Sequence, residues 1–495
     1  MPPADLMLLL PVILVLAGAC VTLAAEPFLG TRAKHAWLPW IAAAALLAAG
    51  VALALTGPGH LHGIFALDPA RRWLGLAVLA AALVAGAGLQ SSLSRDRFPG
   101  GEPHALFLFA SAGALLMVMA TDALSLFVSL EITSLAVYAC VGLRRNRAES
   151  NEGLLKYFVM GAVFSAVFLY GTALVYGATG ATAFGAAPLP GRSALHLIGH
   201  GLIIIALLFK VGAVPFHFWS PDAYTGAPVA VTGFMGAVIK VGGFAALGTV
   251  WLNLASALSG TPISSAPLRL DTALAPSAEA ITALQPLNSV LLVVALLSLI
   301  IGTFSALRQT SVRRLIAFSS VANAGYMILA FALPSAGGTL DLAGLWIYLG
   351  GYALATAGAM TAITALAGPD DDGDDLKQLT GLGRSRPFHG LVLTVFVASF
   401  AGLPPSLGFL GKFLVLAGLV AKSWIWIAGI ALVAALVGAA FYLGLLARLW
   451  SSDARTAPDT GDDLLARWTL AGAAVAVVVL ILWPGWAGAT LLAVK

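Results

Sequence analysis

In HLIGHGLIIIALLFKVGAVPFHFW, residues 196–219, an apolar run long enough to cross a lipid bilayer carries a lysine near its middle and a proline near its end. Lys210 stands about fourteen residues past the start of the run and about nine before its end. At 1.5 Å rise it lies roughly 13 to 21 Å from either boundary. An ammonium at that depth is costly and marks a functional position or a fixed ion pair. Pro215 removes a backbone donor and frees a helical carbonyl, and Pro221-Asp222 just beyond marks a turn.

Runs like this one recur along the whole chain of 495 residues, which is 60% hydrophobic and only 10% charged, with a mean hydropathy of +0.96. That much apolar surface calls for a lipid solvent. Spans are predicted near 4–24, 37–56, 73–91, 104–121, 123–143, 155–178, 196–219, 226–254, 287–307, 314–333, 340–367, 388–419, 425–450 and 466–488. The fold class is thus an all-α polytopic membrane protein of about fourteen transmembrane helices, in which each helix satisfies its own backbone polar groups. No alternating pattern of a lipid-facing barrel is present. The first run lacks the basic leader of a signal peptide and is expected to be retained. Cys20 and Cys140 lie in apolar runs without ligand-like spacing and read as small hydrophobes.

Of the 26 Lys and Arg, sixteen fall in loops after odd-numbered spans and six on the other side, with Arg71 and Arg72 as exceptions to the bias. The excess places both termini outside the cytoplasm. The basic residues form no stripe that would follow a phosphate backbone, and no partnership with nucleic acid is expected. The acidic stretch PDDDGDDLKQ reads as a solvated loop without the fixed geometry of a divalent-ion site. No dinucleotide fingerprint, iron–sulfur cysteine cluster or haem motif occurs, so no redox centre, metal or cofactor is expected in this chain.

The charged residues that stand out inside the predicted spans are Glu131, Lys156, Lys210, Lys240 and Lys412. Glu131, in LFVSLEITSLAVY, either clamps two helices by hydrogen bonds or pairs with a basic group and changes that pairing during transport. Lys156, in NEGLLKYF, is its candidate partner or snorkels to the interface. Lys240 reaches a depth similar to Lys210 on the following span. Burial disfavours the ammonium and a nearby carboxylate favours it, so such a lysine gains or loses a proton as its neighbour changes; two close lysines also bias one another. The alternative is a fixed structural pair. His217 suits a proton relay, or is an interface histidine among Phe216, Phe218 and Trp219. The twelfth span echoes the seventh: FVASFAGLPPSLGFLGKFLVL places Pro404 and Pro405 in mid-span, then Lys412. Such breaks are tolerated only against protein or a water-filled cavity, and two of them in separate halves point to an internal repeat. Ser319, Ser320 and Asn323 on the tenth span are candidates for ordering water.

SLEITSLAVYACVGL (129–143), EGLLKYFVMGAVFSAVFLYGTALVYGATG (152–180), FKVGAVPFHFWSPDAYTGAPVAVTGFMGAVIKVGGFAAL (209–247), RQTSVRRLIAFSSVANAGYMI (308–328) and AGLPPSLGFLGKF (401–413) together resemble the antiporter-like membrane subunits of respiratory complex I. The LLKYF and LYGTALVYGATG wording is similar to the subunit N branch. The resemblance implies two inverted-topology five-helix repeats with discontinuous helices 7 and 12. It divides the chain into a three-helix segment (1–103), a first repeat (104–254), a connector (255–286), a second repeat (287–450) and a C-terminal loop and helix (451–495). It implies that Glu131 and Lys210 form a charge pair, that Lys240 matches the helix 8 lysine, that Lys412 gates exchange with the far or neighbouring side, that His217 lies on the hydrophilic axis, and that Lys156 is the helix 6 lysine of the LKYF motif. Arg313-Arg314, where many relatives carry a lysine, departs from the pattern, and arginine holds its proton too firmly to carry it onward.

The implied function is that of a membrane-arm subunit of a proton-pumping NADH-quinone oxidoreductase in a bacterial inner membrane, a translocase. NADH, FMN, iron–sulfur clusters and quinone are expected elsewhere in the assembly. The implied partners are the adjacent antiporter-like subunit, the small membrane subunits on the quinone-proximal side, the lateral helix of the distal antiporter-like subunit, and lipids. Two other readings stay open: a Mrp-type cation/proton antiporter subunit and a non-pumping structural subunit.

Overall fold

The computed structural model describes residues 3–95, 98, 100–260, 274–332, 334, 338–366, 374–452 and 464–482. Helices α1 (Pro3–Ala25), α2 (Thr31–Leu55) and α3 (Pro69–Arg95) open the chain. The link from α2 to α3 is a departure from an all-helical expectation: β1 (Gly59–Leu61) and β2 (Phe65–Leu67) form a short antiparallel hairpin. The hairpin packs on the next inter-helix turn, where Thr121 donates from its backbone to Ile64 O at 3.0 Å. Arg71 and Arg72, the exceptions to the loop-charge bias, lie in the first turn of α3. Arg71 is fully buried against Asp68 and Thr249, and Arg72 donates to Thr56 O.

Next come α4 (Glu102–Met119), α5 (Ala123–Val141) and α6 (Ala148–Thr179). Asp122 separates α4 from α5 by capping Ser125 N at 2.8 Å and accepting from Thr182 at 3.0 Å. The seventh span is discontinuous: α7 (Ser193–Val211) stops, residues 212–218 turn, and α8 (Trp219–Gly226) resumes. The eighth span, expected as one regular helix, is α9 (Val229–Phe234), a π turn (Met235–Ile239) and α10 (Lys240–Leu258). Helix α11 (Ala278–Leu307) begins nine residues before its predicted start, which shortens the connector expected at 255–286; residues 261–273 within it lie outside the described residues.

Ser311 caps α12 (Val312–Leu329), so Arg313 and Arg314 sit inside that helix. After α13 (Ala343–Leu366) and the short α14 (Leu382–Ser385), the twelfth span splits into α15 (Pro387–Ala401) and α16 (Leu407–Ala421), and α17 (Ile425–Leu449) and α18 (Leu464–Leu482) complete the chain. Residues 367–373 of the acidic loop, the loop 453–463 and the tail 483–495 lie outside the described residues. The described part of the acidic loop is not merely solvated. Asp374 binds Arg313 at 3.0 Å and accepts from Ser311 at 2.8 Å.

Among the described residues, twelve helices are long and apolar enough to cross a membrane, and α15 and α16 are shorter apolar helices. The run from α9 through α10 is wholly buried and α13 nearly so, whereas α6, α17 and α18 bury little of their surface. Leu155, Tyr170, Leu432 and Leu436 on those outer helices face outward as apolar residues, as lipid contact requires. The polar line described next runs through the buried centre.

Candidate functional site

Helix α7 ends because Gly212 adopts the left-handed conformation, at φ 70°, that a side chain disfavours. Gly212 N donates to Phe209 O and Ala213 N to Leu208 O, both at 3.0 Å, the bond pair of a Schellman cap. Helix α15 ends in the same way at Gly402, φ 78°, with Gly402 N on Ser399 O at 3.1 Å and Leu403 N on Ala398 O at 3.0 Å. The Val214–Pro215 and Pro404–Pro405 peptides that follow are both cis. Each break thus holds a helix C-terminus, with its partial negative charge, inside the apolar bundle.

Lys210 lies in the last turn of α7, 3% exposed, and its Nζ donates to Ser134 Oγ at 2.7 Å. Ser134 stands one turn along α5 from Glu131, whose carboxylate accepts from Ser165 of α6 at 2.5 Å. The ammonium and the carboxylate thus bond to different serines, and Ser134 and Ser165 line one small cavity with Lys210. The rings of Tyr138 and Tyr157 lie 6.0 and 5.9 Å from Lys210 Nζ, within cation–π range.

Two small cavities meet at Lys210. One is shared with Ser134, Tyr138 and Ser165, the other with Ser220, Tyr224, Lys240 and Ser320. Each has about 10 Å³ of space, close to the minimum for one water. The second links Lys210 to Lys240. Lys240 follows the π turn directly, donates to Ser320 O and lies 5.6 Å from the ring of Tyr352.

From Ser320 the line continues along α12. Tyr348 donates to Asn323 Oδ1 at 2.5 Å, Asn323 Nδ2 donates to Ser319 O at 2.7 Å and to Tyr442 Oη at 3.3 Å, and Ser319 bonds Tyr442. Lys412 reaches back from α16 to donate to Phe400 O at 2.5 Å, near the C-terminus of α15, with its Nζ 5.3 Å from the ring of Tyr326. Glu131, Lys210, Lys240 and Lys412 thus lie along one polar line.

Lys156 and His217 stand apart from it. Lys156 is 43% exposed and binds Asp222 and Glu152, each at 2.6 Å, so its partner is not Glu131. His217 is half-buried in the 212–218 turn, with its ring 6.4 Å from Phe318. Arg313 is buried and donates to Ala227 O at 2.8 Å besides binding Asp374, a structural clamp between α12 and the end of α8.

Sequence reasoning missed Ser134, Ser165 and the tyrosines 138, 157, 348 and 442. Spacing held part of the signal. Glu131, Ser134 and Tyr138 share one face of α5, and Ser320, Asn323 and Tyr326 share one face of α12. Gly233 of α9 and Gly236 of the π turn let the backbone approach α13, where a Cβ would stand 2.8 Å from Met360 and Thr356. Among the described residues, no group of three or more His, Cys, Asp or Glu is placed to hold a metal ion.

Residues 120–263 and 273–438 match the family model described as NADH:quinone oxidoreductase/Mrp antiporter, TM. The chain is 33% identical over 489 residues to NADH-quinone oxidoreductase subunit N 1 of Rhizobium meliloti, covering 97% of this chain and 95% of that protein. It is 32% identical over 456 residues to NADH-quinone oxidoreductase subunit N of Trichlorobacter lovleyi, covering 90% and 88%. Among solved structures, a chain of respiratory complex I from Thermus thermophilus with bound aureothin aligns with a TM-score of 0.77 at 30% identity, over 96% of this chain and 97% of that one. A chain of the Mrp complex from Dietzia sp. shares the fold, with a TM-score of 0.77 at 19% identity over 99% and 98%.

Proposed function

The chain belongs to the NADH:quinone oxidoreductase/Mrp antiporter membrane family, and from that premise we propose that it is the subunit N-type member of a proton-pumping NADH-quinone oxidoreductase. It works within the membrane arm as part of a larger translocase, coupling NADH oxidation and quinone reduction elsewhere in the assembly to proton movement. The observation that carries this reading is the set of three buried lysines with mostly neutral partners, with hydroxyls, an amide and a one-water cavity among them.

In the proposed cycle, charge arriving from a neighbouring subunit changes the distance between Glu131 and Lys210. Lys210 leaves Ser134 and delivers a proton across the small cavity toward Lys240. Like charges on the two lysines repel, so occupancy of one biases release from the other. Lys412, held at the C-terminus of α15, receives the proton last and hands it to the far side. Moving one elementary charge against 100 mV requires about 2.3 kcal/mol, which the distant redox reaction supplies.

The organisation that fits this cycle has fourteen spans, obtained by adding α12 and the α15–α16 pair to the twelve long apolar helices. Two inverted five-helix repeats occupy 104–254 and 287–450, behind a three-helix segment at 1–103, and both termini face the periplasm of a bacterial inner membrane. Partners are the adjacent antiporter-like subunit, the quinone-proximal small subunits and the lateral helix of the distal one. His217 is assigned to water ordering at the mouth of the first break, and Lys156 to an ion pair that positions α8.

Lys240→Ala tests the reading in the assembled complex reconstituted in liposomes. The expected result is at least about a tenfold loss of redox-driven proton uptake, equivalent to 1.4 kcal/mol on the transfer step, with the variant subunit still assembled. Undiminished proton yield per electron in an assembled Lys240→Ala complex would overturn it.

A further inference from the structure

Along α12, Ser320, Asn323 and Tyr326 occupy one face at intervals of three residues. Ser320 O accepts from Lys240, and the ring of Tyr326 lies under the ammonium of Lys412. At 1.5 Å rise the two contact points are roughly 9 Å apart along the helix, with Asn323 midway. Tyr348, which donates to Asn323, packs against Gly411, the neighbour of Lys412; a Cβ on Gly411 would stand 2.3 Å from Tyr348 Cβ. The other polar side chains around this point, Ser319, Ser320, Tyr348, Tyr352 and Tyr442, all carry hydroxyls. Asn323 is the single amide among them.

Its orientation follows from chemistry. Ser319 O accepts and cannot donate, so the amide edge facing it is the NH2 group, at 2.7 Å. The carbonyl edge therefore faces Tyr348. A hydroxyl oxygen takes a proton on one side while releasing its own on the other, and ends as it began. Asn323 does not offer this exchange at one atom. A proton accepted from Tyr348 at Oδ1, balanced by loss of an N–H proton from Nδ2 to Tyr442, leaves the amide as its costly imidic tautomer. The Tyr348–Asn323–Tyr442 sequence of bonds passes hydrogen-bond orientation through Asn323, but not a proton.

We propose that Asn323 is the proton-insulating residue between Lys240 and Lys412, a specificity determinant that blocks back-leak along the hydroxyl chain and confines transfer to states in which water bypasses the amide. This rests on the reading of Lys240 and Lys412 as proton stations. The test uses the assembled complex in liposomes under an imposed pH gradient without redox substrate, and reads the rate of gradient collapse. Asn323→Asp is nearly isosteric and restores an exchangeable oxygen; it is expected to raise passive leak several-fold, while Asn323→Gln, which keeps the amide, leaves leak at the wild-type level. Asn323→Ser carries the same expectation as Asp and stands in for it if the buried acid prevents assembly.

Wild-type leak in the Asp and Ser variants alike overturns the insulator. A Lys412→Ala control in the same preparation separates the two layers. If it abolishes redox-driven pumping while the Asn323 variants do not leak, only the insulator falls; if it leaves pumping intact, the proton-path reading falls and the insulator with it.

Discussion

The break at 212–218 and the break at 402–406 close their helices with the same glycine cap, yet they treat the freed backbone carbonyls differently. In the first, Trp219 donates its indole N–H to Phe209 O at 3.0 Å, and Lys210 turns away to Ser134 and the neighbourhood of Glu131. In the second, Lys412 itself satisfies Phe400 O. Lys210 is thus free to move without orphaning a carbonyl, because Gly212 N and the Trp219 indole already occupy Phe209 O. Lys412 cannot leave its site without exposing a buried acceptor, which costs about 1–3 kcal/mol. One lysine is mobile beside an acid; the other is a strut as well as a proton site.

Lys412→Ala is the harshest way to break this contrast. It removes the charge and leaves Phe400 O unpaired, so pumping should fall by at least about tenfold and the subunit should also lose about 1–3 kcal/mol of stability, read by proton uptake and by thermal unfolding of the purified complex. Lys210→Ala should match the loss of pumping with less destabilisation. Equal destabilisation by the two replacements would erase the distinction.

Trp219→Phe sharpens the comparison from the other side. It retains an aromatic ring to stack on Tyr157, whose centroid lies 4.1 Å away, but removes the N–H that caps Phe209 O. Phe209 O then keeps only the bond from Gly212 N, and Lys210 is expected to take the acceptor site the indole leaves. Pumping should fall about threefold to tenfold, as for a loss of about 1 kcal/mol, and a structure of the variant should show Lys210 displaced from Ser134. Lys210 unmoved with full pumping would count against the indole's role.

The smallest effect belongs to a clamp that the described residues show only for the first break. Arg313 ties Ala227, at the end of α8, to Asp374. Burial pushes the Asp374 carboxyl up, but the Arg313 guanidinium and the hydrogen bonds from Arg313 and Ser311 outweigh it and hold the carboxyl below its ordinary value. The folded state therefore binds this proton more weakly than the unfolded chain. The contribution is fully present above the ordinary carboxylate value of 3.8 and is lost as pH falls through the lowered one. Asp374→Asn should lower stability by about 0.5–1 kcal/mol near neutral pH, since the pair is partly solvent-screened, and by less in acid. A pH-independent effect, read by thermal unfolding across an acid titration, would exclude the ion pair as its source.

The spans and the two breaks are legible in the sequence because lipid imposes a strict length and polarity on each crossing, and because proline and glycine cluster at the breaks, whereas the lone Pro11, Pro39 and Pro286 stay inside their helices. The deep lysines stand out for the same reason. Their partners do not. Ser134 and Ser165 look like ordinary membrane-helix serines until α5 and α6 are packed together, and Lys156 finds Asp222 sixty-six residues away. Nor does any single residue announce Tyr442 as a partner of Ser319 and Asn323, since the contact joins helices more than a hundred residues apart in the chain.

The π turn at Met235–Ile239 has a geometric consequence for Lys240, the residue that follows it. An α-helix advances about 100° per residue, and a π turn places one extra residue in the loop of a single hydrogen bond. Everything beyond it is rotated relative to the α9 segment before it. The bearing of Lys240 toward Ser320 is therefore set by the winding of one backbone turn, pressed against α13 at Gly236, and a change in that winding re-aims the ammonium without moving either end of the span.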